Sequence, residues 1–318
     1  MSEPTSPSPS PQASRTARLR KAMGPLLGLF IVGLGLWGMH GMLRDTSAAD
    51  IVAALSALPP ARGALAVACT VLSYIVLTQY DRLSLRWLGL HWPWRRSAPG
   101  TAVAYALGNV SFNALLIAGA LRYTAWRVHG VQPGQAARVA VFASLGFWLG
   151  YAALGGLLFC IDPLRPSLRP VGLGLLLAIA LYLLLAWKLP AFRIGRHQVA
   201  LPAPRLCVGQ VAVGMLDVIG ISGVLWLLLP ALPTLSYAYF MQAFMLAMVA
   251  GSASQAPGGL GVFDSAFLLL LPAGVPVPQA LAALLAFRVI YYGLPLLPAG
   301  AALLLRQAWR PGSNRRPP

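Results

Sequence analysis

Long apolar runs that hold at most one charged residue alternate with short polar segments along most of the chain. The runs cover residues 23–43, 63–80, 100–121, 139–161, 171–187, 206–232, 234–271 and 277–305. Most are close to the roughly 20 residues that an α-helix needs to cross about 30 Å of hydrocarbon. The pattern predicts an all-α polytopic membrane protein whose apolar helices cross the bilayer.

Two of the runs contain polar, Gly-rich breaks. Run 234–271 is broken by SASQAPGGLG at 252–261, and run 100–121 is broken by GNVSFN at 108–113. The piece 260–271 is too short to span the bilayer at about 1.5 Å per residue. We interpret both broken runs as re-entrant helical hairpins, which leaves about six spanning helices.

The charge distribution favours the same layout. The chain carries 24 Lys and Arg against 7 Asp and Glu, a net charge of +17. If both broken runs enter and leave the membrane on one side, most of these cations lie in the cytoplasm, as the positive-inside bias requires. A full crossing by residues 100–121 would remove that bias. Both termini are therefore predicted to be cytoplasmic.

The order of the segments predicts an inverted repeat. Residues 21–165 run helix, helix, hairpin, helix, and residues 166–307 repeat that order from the opposite side of the membrane. A Pro- and Ser-rich tail at 1–20, predicted to be disordered, precedes them, and a basic tail at 308–318 follows. Inverted repeats with broken helices at matching positions are typical of transporters, whose substrate sites lie at the breaks.

Composition excludes a water-soluble domain. Apolar residues make up 58% of the chain and charged residues 10%, against about 25% charged residues in soluble proteins. The cations are interpreted as topological signals with affinity for anionic lipid headgroups, so no nucleic-acid partner is expected. Cysteines and histidines are scattered without ligand spacing, and no catalytic motif is visible. We therefore expect no metal, no cofactor and no enzymatic activity.

Three charged residues, Asp217, Asp264 and Arg288, fall inside apolar runs. Each costs about 2.5 to 3.5 kcal/mol at the bilayer centre, so they should face a cavity or each other. Two interpretations stay open. One is a buried Asp–Arg clamp that holds the second half together. The other is a substrate site in which Arg288 binds an anionic headgroup while an aspartate meets a cationic group or exchanges a proton, with Tyr291 and Tyr292 on the helix face of Arg288.

The second break is the most informative local feature. A Gly/Pro interruption at membrane depth frees backbone groups that a ligand, water or protein partner must satisfy. We predict that Ser254, Gln255, Gly258 and Gly259 belong to the site, and that a half-helix begins near Gly259 with Asp264 in its first turn. The alternatives are simple stabilisation of the helix dipole by Asp264 and tight helix packing by the glycines.

The first break offers Asn113 as a polar group for the same site. It is followed by Arg122 and Arg127, which flank Tyr123 and Trp126 at the predicted cytoplasmic interface. An arginine pair with interleaved aromatic residues suits a lipid phosphate, because guanidinium groups bind phosphate bidentately. The alternative is an ordinary interfacial anchor.

Three segments carry a resemblance to a known family: RYTAWRVHGVQPGQAARVAVFASLGFWLG at 122–150, SQAPGGLGVFDSAFLLLL at 254–271 and ALLAFRVIYYGLPLLPA at 283–299. Together they resemble the lysylphosphatidylglycerol synthase transmembrane family, in particular the flippase half of the multiple peptide resistance factor. The resemblance implies a bacterial inner-membrane protein that moves an aminoacylated phospholipid or related amphiphile between leaflets. This chain has Asp264 where the family usually has Glu. It also lacks the family's soluble aminoacyl-transferase domain, so it is not expected to synthesise the lipid.

These observations predict a lipid translocase. The headgroup of an anionic or aminoacylated phospholipid would enter a polar cavity between the two hairpins while the acyl tails stay in the bilayer. Two other functions stay open. The protein could be a membrane scaffold or regulator that partners a separate lipid-modifying enzyme, or an intramembrane lipid transferase.

Overall fold

The computed structural model describes residues 47–111, 114–162, 164–188, 191–194, 197–200, 202–231, 235–254 and 256–308. The predicted first helix at 23–43, the N-terminal tail at 1–20 and all but the first residue of the C-terminal tail lie outside the described residues.

Helices account for nearly all of the described chain. They are α1 (Ala48–Ser56), α2 (Pro60–Trp87), α3 (Trp94–Gly108), α4 (Ala114–Trp126), α5 (Pro133–Ile161), α6 (Arg169–Lys188), α7 (Pro204–Leu228), α8 (Tyr237–Ala253), α9 (Val262–Leu270), α10 (Val277–Phe287) and α11 (Leu294–Ala308). Short 3-10 turns lie at Arg127–His129, Pro166–Leu168 and Pro257–Gly259, and a π-helical turn at Arg288–Gly293 joins α10 to α11.

Five helical segments among the described residues are long and apolar enough to cross a membrane. They are α2, α5, α6 with its preceding turn, α7, and the continuous segment that runs from α10 into α11. The prediction of an all-α polytopic membrane protein is confirmed. The sixth predicted span is the one at 23–43.

Three small elements depart from the predicted layout. Strands β1 (Ala191–Ile194) and β2 (His197–Ala200) pair antiparallel between α6 and α7, with Phe192 opposite Val199. Aromatic and β-branched residues favour strands, which explains why this short polar connection is not helical. The nine-residue helix α1 is capped by Ser47, whose hydroxyl and amide interact with Asp50, and α1 packs against α10.

Both broken runs form antiparallel helical hairpins. In the first, a methyl placed on Gly100 near the start of α3 would lie 2.7 Å from the Cβ of Ala125 near the end of α4. In the second, the Tyr239 hydroxyl at the start of α8 donates to the Leu270 carbonyl at the end of α9, at 3.0 Å. Each chain segment therefore returns to the level at which it started.

The hairpin helices are too short to cross the bilayer singly. Helices α3 and α4 have 15 and 13 residues, and α8 and α9 have 17 and 9. At about 1.5 Å per residue all are shorter than the roughly 30 Å hydrocarbon core. The order long helix, hairpin, long helix occurs at 60–161 and again at 204–308. The inverted relation between the two halves stays a prediction.

Helix α7 lies at the centre of the fold, against α2 on one side and α5 on the other. Glycines make this possible, because α5 and α7 touch backbone to backbone at Gly150 and Gly214. A methyl added to Gly214 would lie 2.7 Å from the Gly150 Cα. On the α2 side, a methyl on Gly220 would lie 3.1 Å from the Ser73 hydroxyl. Small residues at membrane helix interfaces permit such close packing.

Gly214→Ala is expected to force α5 and α7 apart and to lower the free energy of unfolding by about 1 to 3 kcal/mol, the usual cost of overpacking a tight contact. The midpoint of thermal unfolding of the purified protein in detergent measures the effect. Gly174→Ala in α6 is the matched control, because a methyl there would meet nothing within 4 Å. Its midpoint should stay at or above that of the unmodified protein. Equal midpoints for the two variants would contradict the close contact.

Candidate functional site: a cavity between the hairpin tips

The tips of the two hairpins meet inside the protein. A methyl placed on Gly258, in the turn between α8 and α9, would lie 3.7 Å from the carbonyl oxygen of Asn109, which directly follows α3. Gly258, Gly259 and Gly261 have φ angles of 58°, 65° and 78°. These left-handed conformations favour glycine. The Gly-rich sequence of the second break thus provides both the turn and the space for the first tip.

A cavity of about 610 Å³ opens beside the two tips. Its wall takes residues from α2, α3, α4, α5, α7, α8 and the π-helical turn, so both halves of the chain contribute. The polar groups on this wall include Tyr80, Tyr105, Asn109, Ser111, Arg122, Asp217, Tyr291 and Tyr292. A polar cavity between the hairpins was the arrangement predicted from the sequence.

Arg122 of α4 is held in the cavity wall by a buried ion pair. Its Nε and Nη2 donate to the two carboxylate oxygens of Asp81 in α2, at 2.8 and 2.9 Å. The Thr101 hydroxyl also donates to Asp81, at 2.7 Å, and the guanidinium lies 4.8 Å from the centre of the Tyr105 ring. Arg122 is 1% exposed and Asp81 0% exposed. The bidentate geometry fixes the cation and compensates its charge.

A second ion pair supports the tip of the second hairpin. Arg288, the first residue of the π-helical turn, donates from Nη2 to Asp264 at 2.6 Å and from Nη1 to the Gly258 carbonyl at 3.1 Å. Asp264, in the first turn of α9, also accepts from the Gly261 amide at 2.9 Å. The Asp–Arg clamp, one of the two interpretations that the sequence left open, is therefore formed. Asp264 also caps α9, as the helix-dipole alternative proposed.

Asp217 differs from the other two buried carboxylates. It lies on α7, lines the cavity and is 4% exposed. Its hydrogen bond comes from the Tyr80 hydroxyl, at 3.1 Å. Within the described residues no lysine or arginine forms an ion pair with it. A membrane carboxylate without a cation partner is costly and usually functional.

The π-helical turn brings two consecutive tyrosines to the same cavity wall. Tyr291 is buried, lies 3.4 Å from the Ser73 hydroxyl of α2, and packs its ring against that of Tyr74. Tyr292 also lines the cavity. π-Helical turns inside α-helices are frequent at functional sites, and this one carries Arg288 as well.

The structure brings many of the predicted site residues together and separates others. Arg122, Asp217, Gly258, Gly259, Tyr291 and Tyr292 line the cavity, with Asp264 and Arg288 directly behind the second tip. Ser254 is buried, and its hydroxyl donates to the Gly251 carbonyl and accepts from the Ala256 amide, which stabilises the turn. Asn113 and Gln255 lie outside the described residues.

The two arginines after the first break lie in different surroundings. Arg127 is exposed in the turn after α4 and is absent from the cavity wall, whereas Arg122 is buried against Asp81. The reason is helical geometry, because residues five apart on a helix point in different directions. The two guanidinium groups therefore lie in different surroundings, and capture of a lipid phosphate by Arg122 and Arg127 stays a prediction.

Sequence reasoning missed the contribution of α2. The apolar run ends at Tyr80, so its composition does not mark Asp81 as a residue at membrane depth, but the helix continues to Trp87 and buries Asp81 completely. The sequence does contain a signal that α2 has a polar face. Thr70, Ser73, Tyr80 and Ser84 recur at intervals of three, seven and four residues, which puts their hydroxyls on one helix face.

The geometry defines a multi-pass membrane protein with an internal polar cavity, and comparison with known proteins places it in a family. No family model matches the chain. It is 33% identical over 296 residues to the uncharacterized protein slr0712 of Synechocystis sp., covering 90% of this chain and 92% of that protein. It is 28% identical over 260 residues to the inner membrane protein YbhN of Escherichia coli, covering 76% of this chain and 79% of that protein.

The chain belongs to the family of membrane proteins that includes slr0712 and YbhN. The apolar helices and the inner-membrane relative together support a multi-pass inner-membrane protein.

Arg122→Gln is expected to lower the free energy of unfolding by about 3 to 5 kcal/mol, because it leaves the Asp81 carboxylate buried without its cation. Thermal unfolding in detergent measures the loss. The double variant with Asp81→Asn should recover part of it, since both charges are then gone.

Arg127→Gln, five residues away on the exposed turn, is the matched control and should change the free energy of unfolding by no more than about 0.5 kcal/mol. If Arg122→Gln proves as stable as Arg127→Gln, the ion pair does not hold α4 to α2.

Proposed function

We propose that this protein is a lipid translocase that moves an anionic or aminoacylated phospholipid, or a related amphiphile, between the leaflets of the bacterial inner membrane. The observation that carries the proposal is the cavity at the meeting point of the two hairpin tips. It places hydroxyl, amide and charged groups inside an otherwise apolar membrane protein. Such groups inside a membrane protein mark substrate pathways.

The size of the cavity suits a headgroup rather than a whole lipid. Its volume of about 610 Å³ lies within the roughly 300 to 1,000 Å³ of small-molecule sites. The outer helix faces carry exposed leucines, such as Leu177 and Leu181 of α6 and Leu145 of α5. Acyl chains can therefore stay against the apolar exterior while the headgroup occupies the polar interior.

In this proposal, the lipid headgroup is bound by polar and charged side chains of the cavity wall. Arg122 is oriented by Asp81 and Tyr105, and it supplies a fixed guanidinium. Asn109 and Ser111 of the first tip, and the glycine backbone of the second, supply further polar groups for a phosphate. Arg127, on the exposed turn, has no part in this set.

In this proposal, the hairpin tips and the π-helical turn open the cavity to one side of the membrane and then to the other. The tips come from different halves of the chain and touch at Gly258 and Asn109. Arg288 ties the second tip to the turn between α10 and α11. Movement of one half against the other would part the tips and expose the cavity to one side at a time.

We further propose that the family of slr0712 and YbhN is the lysylphosphatidylglycerol synthase transmembrane family that the PGGLGVFD and RVIYY segments resemble. On this proposal the protein transports lipid without making or breaking covalent bonds, and both termini face the cytoplasm. A separate lipid-modifying enzyme would supply or consume its cargo.

Reconstitution in vesicles tests the proposal. Purified protein in vesicles of phosphatidylethanolamine and phosphatidylglycerol, with a trace of fluorescent phosphatidylglycerol, should make the inner-leaflet probe accessible to an impermeant quencher faster than in protein-free vesicles. Ser144→Trp should return the rate to the protein-free level, because Ser144 of α5 lines the cavity and an indole would fill it.

Leu145→Trp is the matched control. Leu145 is the next residue on α5, is 47% exposed and is not part of the cavity wall, so its variant should exchange lipid like the unmodified protein. Absence of exchange by the unmodified protein would favour the scaffold function. Equal exchange by the Ser144→Trp and Leu145→Trp variants would show that lipid does not pass through this cavity.

A further inference from the structure

Asp217 is the uncompensated charge of the cavity. The described part of the chain buries three carboxylates around the cavity, and two of them have partners: Asp81 pairs with Arg122 at 2.8 Å and Asp264 pairs with Arg288 at 2.6 Å. These two pairs are neutral as units. Asp217 has the Tyr80 hydroxyl as its hydrogen-bond donor. An ionised Asp217 therefore gives this part of the protein a net negative charge.

Among the helices that the structure describes, none supplies a cation that pairs with Asp217. The ionisable groups that face it are tyrosines: Tyr74 and Tyr80 of α2, Tyr105 of α3, and Tyr291 and Tyr292 of the π-helical turn. The parts of α5 and α8 that line the cavity carry no ionisable side chain. Arg122 of α4 is on the same wall, but both oxygens of Asp81 engage it.

This arrangement makes anion binding depend on the charge state of Asp217. An isolated carboxylate in a low-dielectric site repels a phosphate that enters the same cavity. When Asp217 holds a proton, the repulsion disappears and the carboxyl gains a hydrogen-bond donor. Proton and anionic headgroup thus favour each other's binding in one cavity, which is the requirement for coupled transport.

We infer that Asp217 is a proton-coupling site, and that one proton crosses the membrane together with one anionic phospholipid. This inference rests on the proposed function and adds to it the charge class of the cargo and the energy source. The proton binds a carboxylate oxygen of Asp217 on the acidic side and leaves on the alkaline side. One positive and one negative charge move together, so the step is electroneutral.

A proton fits this site better than a metal ion. Sodium or another hard cation needs several oxygen ligands around it. Asp217 contributes one carboxylate, and no group of three or more His, Cys, Asp or Glu side chains that could hold a metal occurs among the described residues.

The test uses the full chain in vesicles of phosphatidylethanolamine and phosphatidylglycerol with fluorescent phosphatidylglycerol as the probe. With the interior one pH unit more alkaline, the probe should accumulate in the inner leaflet by about tenfold, the ratio that one proton per lipid supports. Albumin extraction of the outer-leaflet probe measures the distribution. Protein orientation does not matter, because the gradient sets the direction of coupled flux.

Four controls make the outcome specific. A protonophore should abolish accumulation, and a membrane potential imposed without a pH gradient should produce none. The Asp217→Asn variant should leave the probe equally distributed under the gradient, whereas Leu145→Trp should accumulate it like the unmodified protein. Accumulation driven by potential alone, or undiminished in Asp217→Asn, would overturn the inference.

Failure of the coupling and failure of translocation are distinguishable. Lipid exchange by the unmodified protein that ignores the pH gradient would overturn the coupling and leave the translocase standing. Absence of any exchange would overturn both.

Infrared difference spectroscopy across a pH titration gives a readout that does not depend on transport. The unmodified protein should show a protonated-carboxyl band that Asp217→Asn lacks and that Tyr80→Phe shifts, because the phenylalanine removes the hydrogen bond at 3.1 Å. A spectrum without that band in the unmodified protein, or with the band retained in Asp217→Asn, would contradict proton binding at Asp217.

Discussion

The absence of water in the hydrocarbon core is the constraint on which this structure depends. Every backbone group that leaves a helix and every charge that enters the membrane must find a partner within the protein. The chain breaks two of its helices at depth, and the two breaks lie next to each other at Gly258 and Asn109. The Gly258 carbonyl accepts from Arg288, and the Gly261 amide is bound by Asp264. Charged side chains thus satisfy backbone groups of the second break directly beside the first.

Close helix packing makes that meeting possible. Gly150 and Gly214 let α5 and α7 touch through their backbones, and Gly220 lets α2 approach α7 from the other side. Asp217 lies on α7 between these two contacts, so its position relative to Tyr80 is fixed by helices that cannot shift without overlap. The ion pair of Arg122 with Asp81 then ties the first hairpin to α2. The centre of the fold that positions Asp217 is therefore closely packed.

The sequence predicted the parts that depend on local composition. The breaks at 108–113 and 252–261 coincide with the interruptions between α3 and α4 and between α8 and α9, because glycine, proline and polar residues end helices wherever they cluster. The sequence also predicted that Arg288 would face a cavity or another charged residue, because a charge at membrane depth needs a partner. Asp81 was missed because its partner Arg122 lies 41 residues away, and local polarity alone marked it as an interfacial residue.

Other features have no simple sequence signal. The π-helical turn at Arg288–Gly293 reads as an ordinary amphipathic helix, although the following Pro295 cannot donate an α-helical hydrogen bond and so favours an irregular turn. The strands β1 and β2 lie in a connection too short for hydrophobic periodicity to be decisive. Packing between distant segments determines these elements, and only the folded chain shows it.

The central claim is that the tips of the two hairpins share one cavity. Thiol cross-linking in native membranes tests this claim most directly. In a variant whose three natural cysteines are replaced, Asn109→Cys combined with Ala256→Cys places one thiol on each tip in the cavity wall. A short, water-soluble bifunctional reagent should join them within one chain, while Asn109→Cys paired with Leu145→Cys on the outer face should not be joined. Failure of the first pair to cross-link, with each cysteine labelled only from opposite sides of the membrane, would contradict the account.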